Sequence, residues 1–309
     1  MEEYEKEIIK SPLNYTGGKY KLLPQLKKYF PEKIETFYDV FTGGANVGIN
    51  IEAEKIICID KEKILIDLYK LFLKQNYTDL IIKLDDIIKN YNLSNSNEKG
   101  YEYYNCDSSK GLGKFNKDNY IKLRDIFNSF SNKDDIEYLL VFFTLIMFSF
   151  NNQIRFNKNN ELNISVGKRD FNNSLRKKLK EFMERIKNIN IDFINSDFRD
   201  IDINKINKND FVYLDPPYLI ANASYNENGL WTKKDEMDLL KFLEKLNKKS
   251  IRFALSNVLF HKNKKHIVLE EWANKNDFKI NYLDFNYKNS NYQIKDKKSK
   301  TIEILVTNY

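Results

Sequence analysis

Cysteine is almost missing from this 309-residue chain, which holds Cys58 and Cys106, and histidine is as scarce, with His261 and His266 alone. Two cysteines build no disulfide framework, and with two histidines they give no zinc-ligand spacing. Long apolar runs are lacking as well. The most apolar stretch, Tyr138 to Phe150, runs 13 residues without a charge, which suits a buried helix and is too short to span a bilayer. The N-terminal Met-Glu-Glu-Tyr-Glu-Lys-Glu has no apolar core of a secretory leader, so a cytoplasmic protein is expected. Gly17-Gly18 lacks the spacing of a P-loop, and no complete G-x-G-x-x-G follows a strand, which argues against a nucleotide triphosphatase or an ordinary dinucleotide dehydrogenase.

What is present is a globular composition, 42% hydrophobic and 14% aromatic, long enough for one large or two small domains. The net charge of +7 is unevenly spread. Residues 151–188 carry ten Lys/Arg against four Asp/Glu, and residues 286–300 five against one. Two basic patches on a near-neutral body point to a polyanionic partner; the plainer alternative is a pair of solvated faces.

Two of the five prolines are adjacent. Phe211-Val-Tyr-Leu214 alternates β-branched and aromatic residues over the length of a buried strand, and Asp215-Pro-Pro-Tyr218 follows at its end. Each proline fixes its own φ and pushes the preceding residue out of the α region, giving a stiff, extended bend. Such a bend holds the Asp215 carboxylate and the Pro216 carbonyl in one direction, with the flat face of Tyr218 beside them. A planar, amino-bearing ring fits: two acceptors for an exocyclic NH2 and an aromatic surface to stack on. A tight surface turn is the alternative.

The remaining pattern alternates strands and helices on both sides of an interruption. Phe37–Phe41 and Ile56–Ile59 read as strands joined through Thr42-Gly43-Gly44, with a helix expected near Val47, and Asp60 ends the second strand. This is the mononucleotide half of a Rossmann-like sheet, in which the terminal acid accepts from ribose hydroxyls. Without a pyrophosphate motif, an adenosine ligand such as S-adenosylmethionine fits better than a dinucleotide. Upstream, Gly17 and Gly18 precede Lys19 and a helix through Leu22, Leu23 and Leu26, an arrangement able to approach an anion. From Glu62 the alternation stops: a helix is expected over 64–90, a loop or mobile insertion over 92–119, and helices over 120–130 and 136–150. Residues 151–169 predict a basic hairpin whose Asn151, Gln153, Arg155 and Asn157 could read base edges, or a solvated hairpin. Strands then resume at 191–194, 211–214, 251–255, 278–285 and 302–307, around a helix capped by Thr232 and Asp235.

In this order the motifs resemble the D12 class, Dam-type DNA adenine-N6 methyltransferases. Tyr15-Thr-Gly-Gly-Lys19 is similar to the family's N-terminal cofactor motif, Asp39-Val-Phe41-Thr-Gly43-Gly44 to its glycine motif, and Ser196-Asp197-Phe198 and Asp215-Pro-Pro-Tyr218 to its third and catalytic motifs. The resemblance implies a class I S-adenosylmethionine-dependent fold with a seven-stranded sheet and an inserted, mainly helical target-recognition domain carrying a β-hairpin. The catalytic domain would be 1–61 with 189–309, and the recognition domain 62–188. It further implies cofactor contacts from Tyr15, Lys19, Asp39, Phe41, Gly43, Asp60, Asp197, Phe198 and Asp215, and handling of a flipped adenine by Asp215, Pro216 and Tyr218. Arg155 matches a guanine-reading arginine; Asn151, Gln153, Asn157, Ser165, Lys168 and Arg169 complete the expected DNA contacts. Gln153 stands where relatives carry an apolar residue, and Ser165 where they carry proline, so the hairpin departs from the pattern associated with GATC. The implied partners are double-stranded DNA, bound by a monomer, and a cognate restriction enzyme, in a bacterial or phage-infected cell. Methyl transfer to RNA or to a protein amide, or a DNA-binding homologue that has lost transfer, are the competing readings.

Overall fold

The computed structural model describes residues 8–221, 231–284 and 301–309. The chain divides into two compact units. One comprises Lys19–Lys61, 190–221, 231–284 and 301–309, the other 8–18 and Glu62–Ile189.

The first unit is a mixed α/β body. After a short helix, α1 (Leu23–Tyr29), come β1 (Thr36–Val40) and β2 (Lys55–Asp60). The chain leaves this unit after Lys61. It returns as β3 (Ile191–Asn195), β4 (Phe211–Leu214), β5 (Arg252–His261), β6 (Lys264–Lys265), β7 (Lys279–Leu283) and β8 (Thr301–Thr307). The sheet order is β3-β2-β1-β4-β5-β8-β7. Pairs on the β3 side through β5 are parallel, and β8 runs antiparallel to β5 and β7. The sheet thus has eight strands rather than seven, because the two-residue β6 folds back on the end of β5. Strand β5 also continues through Ser256-Asn257 to His261, since β8 supplies partners along its whole length past an irregularity at Val258–Phe260.

β4 is buried at all four positions, as a parallel strand with neighbours on both sides and helices on its faces must be. On one face packs α8 (Lys233–Lys248), begun by a capping box in which the Thr232 hydroxyl accepts the Asp235 N–H and the Asp235 carboxylate accepts the Thr232 N–H. Its stripe Leu239, Leu240, Leu243 and Leu246 is buried with Val212, Leu214 and Phe253, each leucine contributing about 2 kcal/mol of burial. A last helix, α9 (Ile267–Lys275), joins the same cluster through Leu269 and Trp272. The helix expected near Val47 is only a single 3-10 turn, Gly48–Asn50.

The chain runs from β1 to β2 on one side, and β4 lies on the other. Ligands of open α/β sheets bind at such a switch point, outside the carboxyl ends of the strands. Register aligns Val40 with Leu214, so Phe41 and Asp215 leave the sheet side by side.

The second unit is helical: α2 (Lys63–Lys74), α3 (Tyr77–Asn90), α4 (Ser96–Lys99), α5 (Gly113–Ser129), α6 (Ile136–Phe148) and α7 (Asn173–Lys187). The single helix expected over 64–90 is broken because Asn76 caps α3, its side chain accepting the Thr78 N–H. α6 is buried from Tyr138 through Phe148, the pattern of a central helix enclosed by its neighbours. Phe127 stacks on Tyr138 at 4.6 Å, and Phe72 meets Phe143 edge-on at 5.1 Å.

The expected loop over 92–119 is corrected. It holds α4, a 3-10 turn at Glu102–Tyr104 and the first turns of α5. Its Ser and Asn residues, which read as loop composition, are internal fasteners. The enclosed Asp170 carboxylate accepts from the Ser96 N–H at 2.6 Å, the Ser96 hydroxyl at 2.8 Å and the Ser94 hydroxyl at 3.3 Å. Buried Asn116 accepts the Ser94 N–H and donates to the Ser94 hydroxyl.

Between α6 and α7 the chain doubles back, with isolated antiparallel bridges Ser149–Val166 and Phe156–Leu162 rather than continuous strands. The Asn157 side chain closes the turn, accepting the Asn159 and Glu161 N–H groups. The second basic stretch, 286–300, falls outside the described residues, as does residue 285 of the strand expected over 278–285.

Candidate functional site

The end of β4 carries Asp215, whose N–H still donates to the Val40 carbonyl at 3.4 Å. Its Oδ1 takes two partners. Lys19 Nζ lies 2.9 Å away, and the Tyr218 hydroxyl donates from 2.9 Å. Lys19 is buried while the Asp215 side chain keeps 18% of its surface open. The ammonium also sits 5.0 Å from the centroid of the Tyr218 ring. One carboxylate oxygen is therefore oriented from within the protein, and Oδ2 is the oxygen presented to an incoming donor. Lys19 and Asp215, both expected among the cofactor contacts, are thus brought together as an ion pair.

Glu303 on β8 completes this constellation. It is 5% exposed, with Oε2 3.5 Å from the Tyr218 hydroxyl. The Tyr218 hydroxyl thus faces two carboxylates, and burial followed by the charge of Asp215 pushes its pKa well up, so it remains a donor. Glu303 escaped the sequence reading; the available signal was a lone acid in the apolar run Thr301-Ile-Glu-Ile-Leu-Val. Beneath, Tyr213 and Ser256 hydroxyls share a 2.7 Å hydrogen bond.

Beside the acid, the turn after β1 is built from the predicted glycine segment. Phe41 adopts φ 69°, a left-handed conformation that costs a side-chain-bearing residue about 1 kcal/mol or more. Asp60 accepts the Gly43 N–H on Oδ2 at 2.8 Å. Asp39 accepts the Gly48 N–H at 2.9 Å, and its carbonyl accepts from the Thr42 hydroxyl. Asp39 is enclosed, so its part is to hold the turn. Phe41 packs against Phe198 at 5.4 Å and edge-on to Trp231 at 5.6 Å. Trp231 is itself anchored, its Nε1–H donating to Glu236 Oε2 at 2.5 Å. Glu236 Oε1 faces His266 Nε2 at 3.1 Å, and His266 Nδ1 accepts the Leu269 N–H, which puts the ring proton on Nε2. This buried relay also went unread in the sequence.

Asp197 accepts from Arg199 Nη1 at 3.1 Å and caps its N–H, and Arg199 further pairs with Asp235 and Asp238. Its guanidinium lies 4.5 Å from the Phe198 ring centroid. Asp197 thus holds the arginine that covers Phe198. Pro216 is buried and Pro217 exposed. Tyr15 belongs to the helical unit, where its carbonyl accepts the Gly18 N–H.

Burial, the largest cause, raises the Asp39 carboxyl to about 7, with Asp215 and Asp60 adding repulsion against the Gly48 and Thr42 hydrogen bonds. A folded-state pKa above the ordinary 3.8 means that stability is full below that value and falls as pH rises through about 7. Relative to Asp39→Asn, which keeps an acceptor for Gly48, the wild-type melting temperature should decline between about pH 4 and pH 7 and level off above. Parallel melting curves for the two proteins would count against the enclosed, titrating carboxyl.

On the doubled-back segment of the helical unit, Arg155 is half-buried; among the described residues no acid lies within ion-pair distance of it, and its carbonyl accepts the Asn163 N–H. Ser165, Lys168 and Arg169 are exposed. Asn151 is exposed with φ 54°, and the Gln153 carbonyl accepts from the Ser149 hydroxyl. Asn157 is occupied by the turn and by Glu161. Arg176, counted with the basic surface, pairs instead with Asp85 and lies over Phe171. Half-buried Lys178 has its pKa lowered chiefly by desolvation and further by the charges of Lys10 and Arg169.

A mostly parallel α/β sheet with an acid, a lysine and a tyrosine gathered at its switch point is the architecture of a class I methyltransferase. The chain belongs to the D12 class N6 adenine-specific DNA methyltransferases, whose family pattern matches residues 15–299. It is 38% identical to Modification methylase StsI of Streptococcus sanguinis over 98% of this chain and 43% of that protein. With Type II methyltransferase M.FokI of Planomicrobium okeanokoites it shares 38% over 97% of this chain and 43% of the relative. The chain therefore spans less than half the length of these two modification methylases. Likeness to the DNA adenine methylase of Haemophilus influenzae is weaker, 25% over 79% of this chain and 78% of the relative.

Proposed function

We propose that this protein transfers a methyl group from S-adenosylmethionine to N6 of an adenine flipped out of a short duplex DNA sequence. The observation that carries this reading is the partly exposed Asp215 carboxylate at the sheet switch point, with Oδ1 held by Lys19 and Tyr218. When bound, S-adenosylmethionine supplies an electrophilic methyl on sulfur. The residues suit it: Asp60, fixed by the Gly43 N–H at the end of β2, is an acceptor for ribose hydroxyls, and Phe41 and Phe198 offer aromatic surface.

The N6 lone pair of adenine is delocalised into the ring. Asp215 Oδ2 and the Pro216 carbonyl accept its two N–H hydrogens, drawing electron density back to nitrogen and fixing its direction. As the N–C bond forms and the C–S bond breaks, the amine sheds one proton, and Asp215 is the base in reach. Tyr218 lies under the base plane. Most of the acceleration comes from orientation and fixed charge. The helical unit supplies target recognition, with Arg155 reading a guanine and Lys168 and Arg169 on phosphates. A cognate restriction enzyme and a cytoplasmic setting complete the proposal; among the described residues, no helix is long and apolar enough to cross a membrane.

The test is methyl transfer to unmodified genomic DNA, followed by mapping of every N6-methyladenine. Modification confined to one short motif supports the reading and defines the target, deciding whether Gln153 and Ser165 leave GATC as the sequence read. No transfer to DNA with S-adenosylmethionine bound moves the acceptor to RNA or protein.

A further inference from the structure

We infer that Lys110-Gly-Leu-Gly-Lys114, which runs into the first turn of α5, is a second DNA-backbone contact built onto the recognition hairpin. The inference rests on the proposed DNA substrate and extends it to residues without any assigned role. Its basis is a close backbone crossing. The Leu112 N–H donates to the Lys168 carbonyl at 2.8 Å. Gly111 has φ +73°, and a Cβ there would lie 2.6 Å from the Lys168 carbonyl oxygen. A Cβ on Gly113 would stand 2.9 Å from the Gly167 carbonyl oxygen, and one on Gly167 2.4 Å from that of Ser149. Three backbones are stacked where only glycine fits, so the loop is fixed to the hairpin base and moves with it.

That crossing brings four cations together. Lys110, Lys114, Lys168 and Arg169 are all exposed. Lys110 Nζ lies 3.8 Å from Asp107 Oδ2. Lys114, Lys168 and Arg169 have no acid within ion-pair distance among the described residues, and Lys168 Nζ donates to the Ser109 carbonyl. A rigid, under-neutralised positive face continuous with the hairpin meets the phosphates flanking the sequence that the hairpin reads. These contacts are sequence-independent. They set affinity and register, and the choice of base is left to the hairpin.

The experiment compares the wild-type chain with Lys110→Ala/Lys114→Ala, measuring duplex DNA affinity over a range of salt. Each phosphate contact contributes about 0.9 to the slope of log affinity against log salt, so the variant's slope should be shallower by about 2 and its affinity about tenfold lower for every sequence alike. Turnover at saturating DNA, the methylated sequence and S-adenosylmethionine affinity should be unchanged, and Lys110→Arg/Lys114→Arg should restore the slope. An unchanged slope in a variant of a DNA-binding wild type overturns this inference alone. Failure of the wild type to bind duplex DNA overturns both this inference and the functional reading.

Discussion

Asp215→Ala is expected to lower turnover by about a thousandfold or more while leaving duplex DNA affinity within about threefold. The size follows from what the carboxylate does twice over. It presents Oδ2 to the amine, and it neutralises Lys19, which is buried at 5% exposure. Removing it takes the carboxylate partner from a buried ammonium, so a fall in melting temperature should accompany the loss of activity. Lys19→Met in the same background separates the two effects. The double variant should recover part of the stability, because both charges of the ion pair are gone, and none of the turnover. Single-turnover methyl transfer with saturating cofactor makes the measurement, and wild-type rates in Asp215→Ala would refute the assignment. Tyr218→Phe, which deletes only the hydroxyl on Oδ1, should be far milder, since Lys19 alone still orients the acid.

Arg155→Ala should relax base choice at one position of the target by about 1–3 kcal/mol, or roughly 5- to 150-fold. Among the described residues Arg155 lies within ion-pair distance of no acid, unlike Arg176, which is committed to Asp85. A guanidinium held half-buried by the chain's reversal but left without an ion pair is suited to a bidentate acceptor from outside. Comparing methylation rates over a library randomised at each target position reads the effect. Uniform weakening across all sequences would make Arg155 a phosphate contact, the role proposed for Lys110 and Lys168.

The features legible in the sequence were those enforced locally. Two consecutive prolines after an apolar strand dictate a bend whatever surrounds them, and so Asp215 and Tyr218 could be read directly. Thr232 with Asp235 announced α8 because a capping box needs only four residues. What stayed hidden depends on partners far away along the chain. Glu303 is one acid in an apolar strand until β8 brings it to Tyr218. Ser94, Ser96 and Asn116 looked like a solvated loop because nothing in their own neighbourhood reveals that Asp170 and each other will satisfy them. Asn76 split an expected helix through a single side-chain hydrogen bond, a local event that Ile/Leu spacing overrides in any periodicity argument.

The place where the chain departs from the sheet also governs how that sheet is made. β1 and β2 are synthesised first, but β4, the neighbour on which β1 depends, arrives only after the helical unit; the Thr36 N–H reaches the Asp210 carboxylate across 174 residues. Helices held by near contacts form in microseconds to milliseconds, whereas closing so long a loop is slow. During translation the nascent β1–β2 edge therefore waits, unpaired, while the helical unit settles. The barrier to placing Asp215 beside the end of β1 is chiefly one of chain entropy.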